Sequence, residues 1–150
     1  MPIEFFSAVL VNSADPERLA TFYRDVLEVP LETEEHGAGP KHYGCELGDI
    51  HFAIHPLRSG ISAGSGAVDL SFQVFALDEL LERLAKGGVK PLFPPGERGF
   101  ARMTAVKDPD GNTVYLTQLT DRWLEGIESR RQKGSDLIQR WKGHSKGSRA

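Results

Sequence analysis

Alternation of apolar and polar residues with a period of two recurs along the chain and predicts β-strands. The alternating segments are Phe5–Val11, His42–Leu47, Ile50–Pro56, Val68–Phe75, Ala101–Lys107 and Asn112–Leu119, and shorter apolar stretches begin at Val29 and Val89. Two other segments, one from Pro16 to about Leu27 and one from Asp78 to Lys86, have the spacing of amphipathic helices. The order strand, helix, three strands therefore occurs twice, which indicates an internal duplication.

Local signals predict where several of these elements begin and end. Asp15 is a suitable N-cap, and Pro16 fits the first position of the helix that follows. Gly48-Asp49 separates two strand patterns as a two-residue hairpin turn. Gly87-Gly88 ends the second helix. We therefore expect compact modules with short connections, apart from an acidic loop within 32–44 and a Pro- and Gly-rich loop over 94–100.

The segment Asp108-Pro109-Asp110-Gly111-Asn112 predicts a tight turn directly before the last strand. Strand alternation then places Tyr115 on one face and Leu116 on the other. The same alternation places Ala53 and Ile54 on opposite faces of their strand. We expect Ala53 and Tyr115 to face a cleft between the modules, and Ile54 and Leu116 to face the helices.

Two further regions differ in composition. Residues 58–67 are rich in Gly and Ser and are interpreted as a linker, because no helix start and no Walker-type lysine accompany the glycines. Residues 120–150 contain eight Lys and Arg against four Asp and Glu, with Trp123 and Trp141 at helical spacing. We expect two amphipathic helices there, the second capped by Ser135, that dock on this subunit or on its partner.

Composition restricts the class of protein. The length of 150 residues fits one ordinary domain, and the net charge of −3 gives no general reason to expect nucleic acid or membrane binding. A single cysteine, Cys45, excludes an internal disulfide and favours a reducing compartment. Without an apolar leader or a membrane-length segment, the expected location is the cytoplasm.

The duplicated unit carries Phe22-Tyr23-Arg24-Asp25-Val26-Leu27 in its first helix and Asp108-Pro109-Asp110-Gly111-Asn112 before its last strand. Together these features resemble the vicinal oxygen chelate superfamily, which includes glyoxalase I, bleomycin-resistance proteins and extradiol dioxygenases. The resemblance covers residues 3–119. It implies an α+β fold of two βαβββ modules, over 3–57 and 68–119, whose curved mixed sheet surrounds a cleft. Residues 120–150 would be a helical extension.

In metal-dependent members, the resemblance implies one inward ligand from the first and last strand of each module. These positions fall on Ser7 or Ala8, Ala53, Asp69 and Tyr115. Only Asp69 has a suitable side chain, so we expect no metal and no other cofactor. His51 and His55 lie about 13 Å apart along a strand and cannot chelate one ion together. A divalent metal held by one of them with Asp69 stays open as the alternative.

The sequence thus predicts a metal-independent protein that binds a small molecule in the inter-module cleft and forms a homodimer. The alternative is a lyase, isomerase or dioxygenase with a rearranged metal site. Arg102 on the penultimate strand could face the cleft and bind a carboxylate or phosphate of the ligand, and an outward, solvated side chain is an equal alternative. The residues expected to line the cleft are Ser7, His51, Ala53, His55, Asp69, Arg102 and Tyr115. The sequence does not identify the ligand.

Overall fold

A computed structural model describes residues 8–35, 39–57, 68–133, 138–139 and 141–143. Ser7, the linker over 58–67 and the cap at Ser135 lie outside these ranges. The strands are β1 Ala8–Ser13, β2 Glu32–Glu34, β3 His42–Leu47, β4 Ile50–Pro56, β5 Leu70–Gln73, β6 Gly96–Glu97, β7 Ala101–Lys107 and β8 Thr113–Leu119. The helices are α1 Pro16–Thr21, continued by a π-helical turn over Phe22–Val26, then α2 Leu77–Lys86 and α3 Asp121–Lys133.

The strands form two four-stranded sheets with the same order. The first sheet runs β1-β4-β3-β2 and the second runs β5-β8-β7-β6. In each sheet the first and last strands of the module pair in parallel, and the remaining pairs are antiparallel. This confirms the duplicated α+β architecture. Within the described ranges, no helix is long and apolar enough to cross a membrane.

The helix boundaries follow the local signals in the sequence. Asp15 caps α1, its side chain accepting a hydrogen bond from the backbone N–H of Arg18 at 3.1 Å, and Pro16 occupies the first turn. Gly48 adopts a φ of 61° in the turn between β3 and β4, a conformation that glycine reaches without steric cost. Helix α2 ends at Lys86, before Gly87, as expected.

A single core lies between the helix-facing sides of the two sheets. The rings of Phe52 and Phe72, one from each sheet, meet at 5.6 Å, and the ring of Tyr23 packs against both. Ile54 and Leu116 are 0% and 1% exposed in this core, which confirms the strand register predicted for β4 and β8. Because the inner sides of the two sheets meet here, their other sides point away from the core.

The turn before β8 ties the two modules together. Asp108 is buried and accepts hydrogen bonds from the backbone N–H groups of Asp110 and Asn112, at 2.9 and 2.8 Å. Across the module boundary, the hydroxyl of Tyr23 donates to Asp108 at 2.8 Å, and that of Ser13 donates to Asp110 at 2.5 Å. Residues from both motifs that carry the family resemblance thus form one hydrogen-bonded contact.

Two strands differ from the prediction, whereas the first C-terminal helix is present as expected. The second strand of each module begins later than expected, at Glu32 rather than Val29 and at Gly96 rather than Val89, inside segments interpreted as loops. Both strands are short, so they show too few alternating positions to stand out. Helix α3 starts directly after the second module and reaches the first, where Arg131 pairs with Asp49 at 3.4 Å.

Candidate ligand-binding face

The first sheet has one side in the core and one side outside it. Strand pairing assigns the outer side, because residues opposite each other in register project to the same face. We call this side the first polar face. Its described positions are Ala8, Leu10, Asn12, Glu32, Glu34, His42, Gly44, Glu46, His51, Ala53 and His55.

Hydrogen bonds to Nδ1 fix two histidines of this face. Nδ1 of His51 lies 2.5 Å from Oε1 of Glu46, and Nδ1 of His42 lies 3.1 Å from the carbonyl oxygen of Pro40. A carbonyl or an ionised carboxylate only accepts, so both rings carry a proton on Nδ1. Their Nε2 atoms approach the same carboxylate oxygen of Glu34, at 3.2 Å from His42 and 3.8 Å from His51. The face therefore contains a chain of alternating imidazoles and carboxylates.

The centre of the first polar face is made of small residues. Gly44 and Ala53 are opposite each other in β3 and β4, and both are buried. The carboxylate of Glu34 lies directly over Gly44, where an added Cβ would meet its oxygen at 2.7 Å. Beside Ala53, Leu10 remains 47% exposed. A small apolar area is thus bordered by fixed polar groups.

The β1 end of this centre combines an amide and two stacked rings. The rings of His42 and His55 stack at 4.2 Å with an interplanar angle of 15°. Asn12 lies opposite His55 in register. Its Oδ1 is shielded from solvent and has no hydrogen-bond partner in the structure. A buried acceptor left without a donor is costly, so this oxygen is suited to receive a donor from a ligand.

The second sheet has a corresponding outer side, which we call the second polar face. Its members are Ser71, Gln73, Ala101, Met103, Ala105, Lys107, Thr113, Tyr115, Thr117 and Leu119. The hydroxyls of Ser71 and Thr117 are 2.9 Å apart, and the ring of Tyr115 lies 6.5 Å from that of Phe93. Among these positions Lys107 is charged, and its Nζ donates a hydrogen bond to the hydroxyl of Thr113 at 2.7 Å.

The predicted site residues divide between these surfaces. His51, Ala53 and His55 share the first polar face, and Tyr115 lies on the second. Ala53 and Tyr115 thus belong to different sheets. Asp69 is exposed just before β5, and Ser7 lies outside the described residues. That these residues line one inter-module cleft stays a prediction.

Arg102 does not lie on either polar face. It is opposite Gln118, whose side-chain oxygen accepts a hydrogen bond from the N–H of Leu77 at the start of α2. The guanidinium of Arg102 pairs with Asp78 of the same helix at 2.8 Å. Arg102 therefore lies on the side of β7 that carries α2, and its role in ligand binding stays a prediction.

Sequence reasoning missed Glu34, His42 and Glu46 as site residues. Glu34 lay in a segment interpreted as a loop, although it forms part of β2. A signal was present in the period-two spacing of His42, Gly44 and Glu46, which places all three on one face of β3. Because that spacing continues the pattern of His51, Ala53 and His55 in β4, pairing β3 with β4 would have found the cluster.

The positions implied for the family's metal do not fit a metal in this chain. Ala53 has no side-chain donor atom for a metal, and Tyr115 belongs to the other sheet. Within the described residues, no three His, Cys, Asp or Glu side chains are grouped so as to hold a metal ion. His51 lies in β4 of the first sheet, whereas Asp69 precedes β5 of the second sheet.

Cys45 does not supply a reactive nucleophile. It lies on the core side of β3, opposite Phe52. Partial burial, together with the neighbouring carboxylate of Glu46, raises the pKa of the thiol. The thiol form consequently predominates at neutral pH, and it is a poor nucleophile compared with the thiolate.

A groove between the two modules opens at the edge of the core. This inter-module groove has a volume of about 330 Å³. Its walls are mainly apolar, with Val9, Ile50 and Phe52 from the first sheet and Leu70 and Phe72 from the second. Asp69 lies at its rim. The groove shares no charged group with the first polar face.

Comparison with known proteins identifies relatives of this architecture. The model of the family described as "Glyoxalase/Bleomycin resistance protein/Dioxygenase superfamily" matches residues 6–116. No curated protein sequence gave a significant match.

Solved structures share the fold at low sequence identity. TnmS3, an antibiotic binding protein from Streptomyces sp. CB03234, is 21% identical with a TM-score of 0.66, covering 80% of this chain and 99% of that one. An integron cassette protein from the mobile metagenome of V. cholerae is 22% identical with a TM-score of 0.65, covering 80% and 98%. A superfamily member from Sphaerobacter thermophilus DSM 20745 is 22% identical with a TM-score of 0.61, covering 79% and 99%.

Proposed function

Because the chain belongs to the Glyoxalase/Bleomycin resistance protein/Dioxygenase superfamily, we propose that it binds a small organic molecule on the first polar face. The observation that carries this proposal is the arrangement of fixed polar groups around a small-residue centre. Glu46 orients His51, Pro40 orients His42, and the centre between them is Gly44 and Ala53. Ligand sites commonly combine an apolar surface with a few such positioned groups.

The proposed site lies on strands, which hold its side chains more rigidly than loops would. His42 and His51 project from neighbouring antiparallel strands, and their ring orientations are set by hydrogen bonds. Side chains held in this way lose little conformational entropy when a ligand binds, which favours affinity. The description of the neighbour TnmS3 as an antibiotic binding protein supports a small organic ligand for this chain.

Binding in this proposal does not use the metal of the family's enzymes. The residues at the implied ligand positions include Ala53 and Tyr115, which are not a metal-binding set. A chelator should therefore leave the melting temperature unchanged. Stoichiometric zinc, nickel, manganese or iron in protein purified without added metal would contradict this part of the proposal.

We also propose that a second copy of the chain completes the cleft. The second polar face, with Tyr115 and Ser71, would cover the first polar face of its partner. Strands β1 and β5 are at the edges of their sheets in the described structure, and edge strands have backbone groups able to pair with another chain. Such a homodimer would contain two equivalent clefts, as two-fold symmetry requires.

A thermal-shift screen followed by NMR mapping tests the proposal. A ligand present at a hundredfold excess over its Kd stabilises the native state by about 2.7 kcal/mol. Hits should shift the backbone amide resonances of Gly44, His51 and Ala53. If every hit instead shifts Phe52, Leu70 and Phe72, the molecule binds in the inter-module groove and the first polar face is not the site. Light scattering at the same concentrations reports whether the protein is a dimer.

A further inference from the structure

We propose that the ligand of the first polar face is an organic cation that carries N–H donors on a flat apolar body. This inference rests on the proposed binding function and specifies its ligand class. It follows from the charges of the face, from the protons on its imidazoles and from its unsatisfied amide oxygen.

The ionisable side chains on this face are glutamates and histidines. The glutamates are Glu32 and Glu34 of β2 and Glu46 of β3, and the histidines are His42, His51 and His55. The paired positions of β1 contribute Ala8, Leu10 and Asn12 but no charge. No lysine or arginine occupies the described positions of the face. With neutral histidines the face is therefore negative, and it attracts cations and repels carboxylates.

The imidazole protons explain why Glu34 favours a cation. The Nδ1 protons of His42 and His51 are directed to Pro40 and Glu46. A neutral ring would consequently turn its Nε2 lone pair toward the Glu34 carboxylate. Only a protonated ring makes a favourable contact there. A cationic ligand that donates N–H groups to Glu34 would replace those protons, so proton and ligand compete for one carboxylate.

A second, independent observation concerns Asn12. Its Oδ1 is buried on the same face and has no hydrogen-bond partner. A ligand with N–H groups would satisfy this acceptor, whereas a ligand carboxylate would leave it without a donor. The exposed Leu10 lies between Asn12 and the first residues of β1 and provides the apolar surface for a flat ring. Amidines and guanidines on aromatic rings combine both properties.

Three probes of matched shape test the inference. Naphthalene-2-carboxamidine is cationic, naphthalene-2-carboxamide is neutral and naphthalene-2-carboxylate is anionic. Calorimetry at low ionic strength should show the amidine binding at least about tenfold more tightly than either analogue, a difference of about 1.4 kcal/mol. Raising the salt concentration should weaken amidine binding alone. Equal affinities, tighter binding of the carboxylate, or no binding by any probe would overturn the inference.

Two matched charge-removing variants test whether Glu34 is the carboxylate that binds the amidine. Glu34→Gln should weaken amidine binding about tenfold, while the affinity for the carboxamide stays unchanged. Glu82→Gln removes the same charge from the exposed side of α2 and should leave both affinities unchanged. Melting curves of the two variants exclude misfolding. If both variants bind the amidine equally well, Glu34 is not its partner and the inference is wrong.

NMR mapping with the three probes separates failure of the cation class from failure of the binding site. If the carboxamide or the carboxylate shifts the amide resonances of Gly44 and Ala53 while the amidine does not, the ligand is not a cation, but ligand binding on this face stands. If no molecule of a broad screen shifts these two resonances, both the cation inference and the proposed binding function are wrong.

Discussion

Replacing Tyr23 by phenylalanine removes one hydroxyl group from the contact between the two modules. The Tyr23 side chain is 0% exposed, and its hydroxyl donates to Oδ2 of Asp108, itself only 4% exposed. The same carboxylate accepts three further hydrogen bonds within the turn, two from Asn112 and one from Asp110. The variant therefore leaves the carboxylate partly satisfied while removing the only one of these bonds that crosses between modules.

The expected cost follows from the charge and the burial of this pair. A hydrogen bond to a charged group contributes about 1.5–3 kcal/mol. In a protein of this size each kcal/mol corresponds to about 2–4 °C, so Tyr23→Phe should lower the melting temperature by about 3–12 °C. Urea unfolding should show the loss in the midpoint, with an unchanged slope.

Tyr115→Phe is the matched control, because it removes the same atom from a half-buried tyrosine on the second polar face. Its free energy of unfolding should change by less than about 0.5 kcal/mol, as for most positions away from buried networks. If the two variants lose equal stability, or if Tyr23→Phe stays within about 0.5 kcal/mol of the parent protein, the hydrogen bond to Asp108 does not hold the modules together.

The pH dependence of stability provides an independent measurement on the same group. Burial, and then the charge of Asp108, raise the pKa of Tyr23 above its usual value. In the unfolded chain, tyrosine loses its proton at about pH 10. Above that pH the folded state keeps more protons than the unfolded state, so the free energy of unfolding falls as pH rises. The decline should be smaller in Tyr23→Phe than in the parent protein.

Other consequences of the structure are open to test. Arg102→Ala should cost at most about 1 kcal/mol, because its partner Asp78 is largely exposed, and calorimetry should find ligand affinity unchanged; a large loss of affinity would return Arg102 to the binding site. Cys45 should react with iodoacetamide much more slowly in native protein than in urea, because its thiol pKa is raised; equal rates would mean that the thiol is not shielded. Truncation after Thr120 removes α3 with Trp123, which packs on Phe100 at 5.8 Å yet is 48% exposed. The shortened chain should elute differently from the parent in size-exclusion chromatography or melt at a lower temperature, and identical behaviour would show that α3 has no docking role.

The sequence by itself determined the repeated architecture and much of its local geometry. Alternation in β4 and β8 separated Ile54 and Leu116 from Ala53 and Tyr115, because the side-chain period of a strand is fixed by the backbone. The cap at Asp15 followed from side-chain chemistry over a few neighbouring residues. Signals of this kind are local, so they survive without knowledge of the fold.

Only the tertiary structure decided which surfaces meet. Residues 101–107 carry small or mixed side chains on both faces of β7, so alternation alone did not show that Arg102 shares its side with α2. The short strand β2 offered too few positions to reveal that Glu34 joins His42 and His51. The contact between Phe52 of the first sheet and Phe72 of the second likewise depends on tertiary packing. Contacts between residues distant in sequence depend on how whole elements bury their apolar sides, and the period of one strand contains no information about that choice.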